Sequence, residues 1–135
     1  MNSLSAGIYS RLQTTSALTS LLAGTTSIYH LQAEEGESYP YVVFSTQGGG
    51  DVNDTPNRLK SLVLFVRGYS ETSAAQAGSI DAQADAALHL VPLTVSGWTN
   101  IWLARETDLE TVETTPTGQK VYMSGGFYRV MLDKD

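Results

Sequence analysis

Apolar positions recur along the chain with two different periods, and the changes of period mark out its elements. Leu4, Ile8 and Leu12 stand at i, i+4 and i+8, which places them on one face of a helix. Leu18, Leu21 and Leu22 continue that face, so the spacing predicts helix over 3–22. Thr14, Thr15 and Ser16 are weak helix formers and predict a break, with Ser16 as the cap of a second short turn. Gly24 suits a left-handed position beyond it. A short strand over 28–31 and an acidic turn, EEGES, come next. Residues 39–45, YPYVVFS, are aromatic and β-branched and predict a strand, with Pro40 at its start or on an edge. Residues 60–69, KSLVLFVRGY, predict a strand with much of both faces covered. Helical spacing returns over 72–91, where Ala77, Ile80, Ala84, Ala87, Leu88 and Val91 form one stripe. Ser79, Asp81, Gln83 and Asp85 lie mainly off it, and Pro92 stops the helix.

The remainder reads as β. A strand runs from Trp98 to about Glu106, extending towards Glu113, and Thr115, Pro116, Thr117 and Gly118 mark a turn. Residues 121–132, VYMSGGFYRVML, form the last strand, in which Gly125 and Gly126 predict a bulge or bend. Helix, strands, helix, strands, joined by turn-rich connections, predict an α+β fold: a mainly antiparallel sheet with both helices packed on one face. The pattern shows no internal repeat, no linker and no run of the ~20 apolar residues a membrane helix needs.

The longest polar interruption is 47–58, QGGGDVNDTPNR. A phosphate-binding loop would need a Lys followed by Ser or Thr after its glycines, and here Asp51 follows them and would repel phosphate. Asp51, Asn53 and Thr55 match positions 1, 3 and 5 of a calcium loop, but Pro56 and Leu62 stand where glycine and glutamate are required. The segment therefore reads as a flexible hairpin connection within a single domain spanning 1–135. Gly48, Gly49, Gly50, Asp51, Asn53 and Asp54 are its candidate partner contacts.

Charge and composition narrow the chemistry. The 135 residues carry 8 basic and 14 acidic side chains, a formal net charge of -6 at pH 7, so wrapping nucleic acid or lying on an anionic membrane is disfavoured. Cysteine is absent, which excludes disulfides and thiolate metal sites. The N-terminal MNSLSAGIYSRL lacks the basic and apolar regions of a signal peptide. Glu106, Asp108 and Glu110 alternate, and on a regular strand they share a face. No histidine lies near them, so a solvated acidic face is favoured over acid–base or metal chemistry. His30 and His89 read as structural, His89 complementing the dipole at a helix end. Trp98 and Trp102 face one side of a regular strand, as do Tyr122 and Tyr128, and core packing is favoured over base stacking. No Gly-x-Ser-x-Gly elbow is present. The residues alone give an acidic α+β interaction module with no catalytic, cofactor or metal site.

The order IYSRLQTTSALTSLLAG, IYHL, YPYVVFS, LVLFVRGYS, AALHLVPLTVSGW and VYMSGGFYRVML resembles the tail completion family of long-tailed bacteriophages. Its members are also called tail terminator or tail-to-head joining proteins, and the minor tail protein U of phage lambda is a related type. The resemblance runs over nearly the whole chain, with YPYVVF and the helix exit LVPL as its most telling pieces. It implies a virion protein, assembled in the host cytoplasm, that forms a hexameric ring at the head-proximal end of the tail. Such a ring stops growth of the tail tube and offers a docking surface to neck and head-closure proteins. DNA passes through its lumen without specific binding, and no enzymatic activity, cofactor or membrane partner is implied. On that reading Glu106, Asp108 and Glu110 face the lumen or a subunit interface. A head-closure or adaptor ring of the neck is the nearest alternative. A small hydrolase or metal-dependent enzyme and an adaptor domain of a cellular protein are the alternatives from other classes.

Overall fold

The computed structural model describes residues 1–54 and 56–135, and its elements follow the apolar periods closely. Helices α1 (Asn2–Gln13) and α2 (Ser16–Thr19) open the chain, followed by strands β1 (Ile28–His30), β2 (Tyr41–Val52) and β3 (Leu59–Ser70). Helix α3 (Ala74–Leu88) then leads to β4 (Thr94–Val95), β5 (Trp98–Thr114) and β6 (Lys120–Lys134). The six strands form one sheet in the order β1-β2-β3-β6-β5-β4. The fold is α+β, with antiparallel pairing except between β1 and β2, which run parallel.

Alternation along the strands assigns the two faces. Val42, Phe44, Leu62, Leu64, Val66, Tyr128, Val130 and Leu132 point to the helices and are buried with Leu4, Ile8, Leu12, Ile80, Ala84 and Leu88. The alanines of α3 let it lie close to the sheet, and the would-be Cβ of Gly68 comes within 2.6 Å of Ile80. Ser73 caps α3 by accepting the amide proton of Gln76. The first helix is tied to the end of the third by Arg11, which donates to the carbonyls of Ala87 (3.0 Å) and Pro92. The other face carries no helix. Phe65 stacks on Phe127 at 4.5 Å, and Tyr41 packs between Tyr39 and Tyr69.

Several expectations are corrected. The predicted break splits 3–22 into two helices, but Thr15 is the N-cap residue of the second and no side chain caps it. Gly24 is not left-handed; positive φ falls instead on Leu31, Leu90 and four other glycines. Helix α3 ends at Leu88, because Leu90 turns to φ 57 and donates its amide proton to the carbonyl of Leu103. The glycine pair in β6 makes no bulge in that strand. The irregularities lie in its neighbour β5, between Asn100 and Trp102 and between Arg105 and Thr107. The first of these places Trp98 opposite Lys134 and Trp102 opposite Met131, so the two tryptophans face opposite sides. Tyr122 and Tyr128 do share a face.

Candidate functional site

The two candidate segments lie on the opposite long edges of the sheet. Residues 47–52, expected as loop, belong to β2. After a register shift at Gln47, Gly48 pairs with Val63, Gly50 with Ser61 and Val52 with Leu59. The alternation that identifies a half-buried strand is absent from three consecutive glycines, and cross-strand pairing with β3 supplies the order instead. Gly49 is required by the backbone: its φ is +95 and a Cβ would lie 2.2 Å from the Ser61 carbonyl oxygen. Only 53–58 connects the strands, with Asn53 and Asp54 exposed.

Asp51 stands opposite Lys60 and accepts from both Lys60 Nζ and Arg58 Nη2 at 2.8 Å. The hydrogen bonds from Arg58 and then Lys60 pull its carboxyl down to about 2. A carboxylate already holding two cations is a poor metal ligand. Thr55, the third residue of the calcium reading, lies outside the described residues. Among the described residues no group of three or more His, Asp and Glu is placed to hold a metal ion.

The acidic row does not form one face. Glu106 is the extra residue of the second β5 irregularity, and its carboxylate accepts from Arg129 Nε at 3.3 Å. Arg129 also donates to Ser61, on the side of the sheet without helices. Asp108 and Glu110 pair with Gly126 and Ser124 and lie on the helix side. The sequence reading assumed a regular strand, and one inserted residue reverses the parity.

Sequence reading missed the residue that organises this edge, Arg105. Its side chain is 14% exposed and donates through both terminal nitrogens to Asp81 at 2.8 Å. It also donates to the Gly125 carbonyl at 2.9 Å, to Asp108 at 2.6 Å and to the Tyr128 hydroxyl at 3.3 Å. The Tyr128 hydroxyl in turn donates to Asp85 at 2.9 Å. Burial pushes the Tyr128 phenol up, against the opposing pull of Arg105, so it stays a neutral donor. The guanidinium occupies the space over Gly126, where a Cβ would stand 2.6 Å from it. The glycine pair and the i, i+4 spacing of Asp81 and Asp85 were the available signals. This arrangement fastens β5 to α3 and offers no free base or nucleophile.

Both histidines have structural partners. His30 shares a hydrogen bond with Ser5 at 3.2 Å and packs on Phe44. His89 Nδ1 accepts the amide proton of Arg105 at 3.0 Å and so covers part of the outer edge of β5. Leu90, Ile101 and Trp102 are exposed apolar residues beside that cover, around one shallow hollow.

The family model described as "Tail completion protein gp17" matches residues 6–132. A chain from the virion of a native gene transfer agent (GTA) particle superposes with a TM-score of 0.78 at 17% identity, covering 96% of this chain and 94% of its own. A second solved chain superposes with a TM-score of 0.53 at 12% identity, covering 99% and 94% respectively. No curated protein sequence matches.

Proposed function

Because this chain belongs to the tail completion protein family, and is thus a structural protein of the virion tail, we propose that it closes the tail as a hexameric ring. The ring sits at the head-proximal end of the tube, ends tube growth and joins the tail to the neck and head, with DNA crossing its lumen. The family match over residues 6–132 carries this reading, because it spans both helical blocks and all six strands of the sheet. The likeness in fold to a chain of a gene transfer agent virion supports it.

The chemistry of the chain suits such a part. Its acidic balance disfavours adhesion of a polyanion, as a conduit requires. Its buried polar side chains are satisfied internally, with no buried side-chain nitrogen or oxygen left unpartnered among the described residues. The β2–β3 hairpin, ending in exposed Asn53 and Asp54, is the contact for a tube or neck protein. Glu106, Asp108 and Glu110 serve the lumen or the boundary between copies.

Native mass spectrometry over a range of concentrations, with and without chelator, tests the ring directly. A sixfold species indifferent to chelator is expected, either free or recovered from tails. A chain that stays monomeric both in solution and on purified tails overturns the proposal. Neutralising Glu106, Asp108 and Glu110 together is expected to impair assembly or DNA ejection, and normal particles would remove those three residues from the reading.

A further inference from the structure

Resting on the ring reading, we infer that successive copies join edge to edge: the outer edge of β5 over residues 106–114 pairs antiparallel with the outer edge of β2 over 47–52 in the next copy. Three observations carry this.

First, among the described residues the chain covers its own sheet edges only in part, and the cover stops abruptly on each side. On β2, strand β1 pairs with Val42, Val43 and Phe44, and Leu31 adds one more bond to the Phe44 carbonyl. On β5, β4 pairs with Trp98 and Thr99, and Leu90 and His89 close the groups of Leu103 and Arg105. Beyond those points both strands continue paired on their inner sides, to Val52 and to Thr114, past one inserted residue each, Gln47 and Glu106. Long uncovered edges are templates for another strand.

Second, direction and position agree. β2, β3, β6 and β5 are linked by three antiparallel pairings in series, so β5 runs opposite to β2. A neighbour in the same orientation around a ring therefore offers β2 antiparallel to β5. The free stretches lie towards opposite ends of the sheet, so the neighbour is stepped along the strands. The short strands β1 and β4 then occupy the notches that the step leaves. A surface that meets a different surface on the next copy is the kind of contact that closes a ring.

Third, Gly48 and Gly50 have no use within this chain. A Cβ on either would meet nothing within 4 Å, and neither has positive φ, unlike Gly49 between them. Glycine inside a strand marks close approach of another backbone or group. The acidic side chains of the β5 stretch discourage indiscriminate pairing.

The chain contains no cysteine, so paired cysteines report the contact cleanly. Gln47→Cys or Val52→Cys is combined in one chain with Asp108→Cys, Glu110→Cys or Val112→Cys, and oxidised or treated with a short bismaleimide. Within one copy β2 and β5 are separated by β3 and β6, roughly 14 Å at the usual strand spacing, so a bond forms only between copies. At least one pair is expected to give a ladder of covalent oligomers up to six, and Gly36→Cys with Glu110→Cys is expected to give none. Rings seen by native mass spectrometry but no ladder from any pair would overturn the edge pairing and leave the ring reading standing. Absence of rings both in solution and on tails would remove the ring reading and the pairing together. Amide hydrogen exchange of the unaltered chain serves if the variants misfold. Outward amides of 106–114 are expected to slow about tenfold or more on ring formation, and equal rates in ring and monomer would overturn the inference.

Discussion

Replacing Arg105 by methionine removes the guanidinium but keeps a side chain of similar length. Asp81, 12% exposed, then loses both of its 2.8 Å bonds. The Gly125 carbonyl and the space over Gly126 lose their occupant as well. Removing one partner of a largely buried ion pair costs about 3–5 kcal/mol, because the remaining charge, here keeping only the Ser124 hydroxyl as donor, loses its counter-ion. The contact with Asp108, 85% exposed, adds little to that sum. Unfolding entropy of about 2.1 cal/mol/K per residue gives roughly 0.28 kcal/mol/K for a chain of this size, so Tm is expected to fall by about 10–18 °C. Thermal and urea denaturation followed by circular dichroism measure this. The double variant Arg105→Met, Asp81→Leu is expected to recover much of the loss, since apolar replacement of a whole buried pair is often neutral. A loss below about 1 kcal/mol for Arg105→Met, with no coupling to Asp81 in the cycle, would refute the claim that this ion pair fastens β5 to α3.

Three further outcomes follow from the same geometry. Gly125→Ala is expected to destabilise by about 1–3 kcal/mol in urea unfolding, because the added Cβ would stand 2.4 Å from the Val66 carbonyl oxygen in the middle of the sheet. Gly78→Ala, in mid-helix with nothing within 4 Å of its Cβ, is expected to stabilise by up to about 1 kcal/mol. The Asp51 carboxyl has a folded pKa of about 2, below its unfolded value of about 3.9, so its contribution is complete above that value and disappears as pH falls towards 2. Wild type and Asp51→Asn should therefore differ in urea midpoint at pH 7 and converge near pH 2.

The elements were legible where one period dominated. Leu4, Ile8 and Leu12, and the stripe from Ala77 to Leu88, reported helices because their apolar side chains do nothing except fill the core. The segment Gly48, Gly49 and Gly50 was opaque because a strand without side chains has no period to read. The acidic row and the tryptophan pair were misjudged for another reason. Bulges at Ile101 and Glu106 each add one residue, so parity counted from sequence fails across each of them, the second restoring what the first reversed. Arg105 was visible as a residue but not as a centre, since its partners Asp81, Asp85 and Gly125 come from other elements. Long-range juxtaposition of that kind leaves no local pattern.

The glycine pair of β6 has a mechanical consequence. A central strand normally brings its own side chains to the interior, but at Gly126 that material is lent by Arg105 from the strand outside it, which also holds the Gly125 carbonyl. The outer strand therefore cannot be peeled away bond by bond as a zipper opens. To leave, it must withdraw a plug from beneath α3 and break the clasp on Asp81 in the same event. Force applied along the β5–β6 arm is thus passed to the helix layer as a single rigid load.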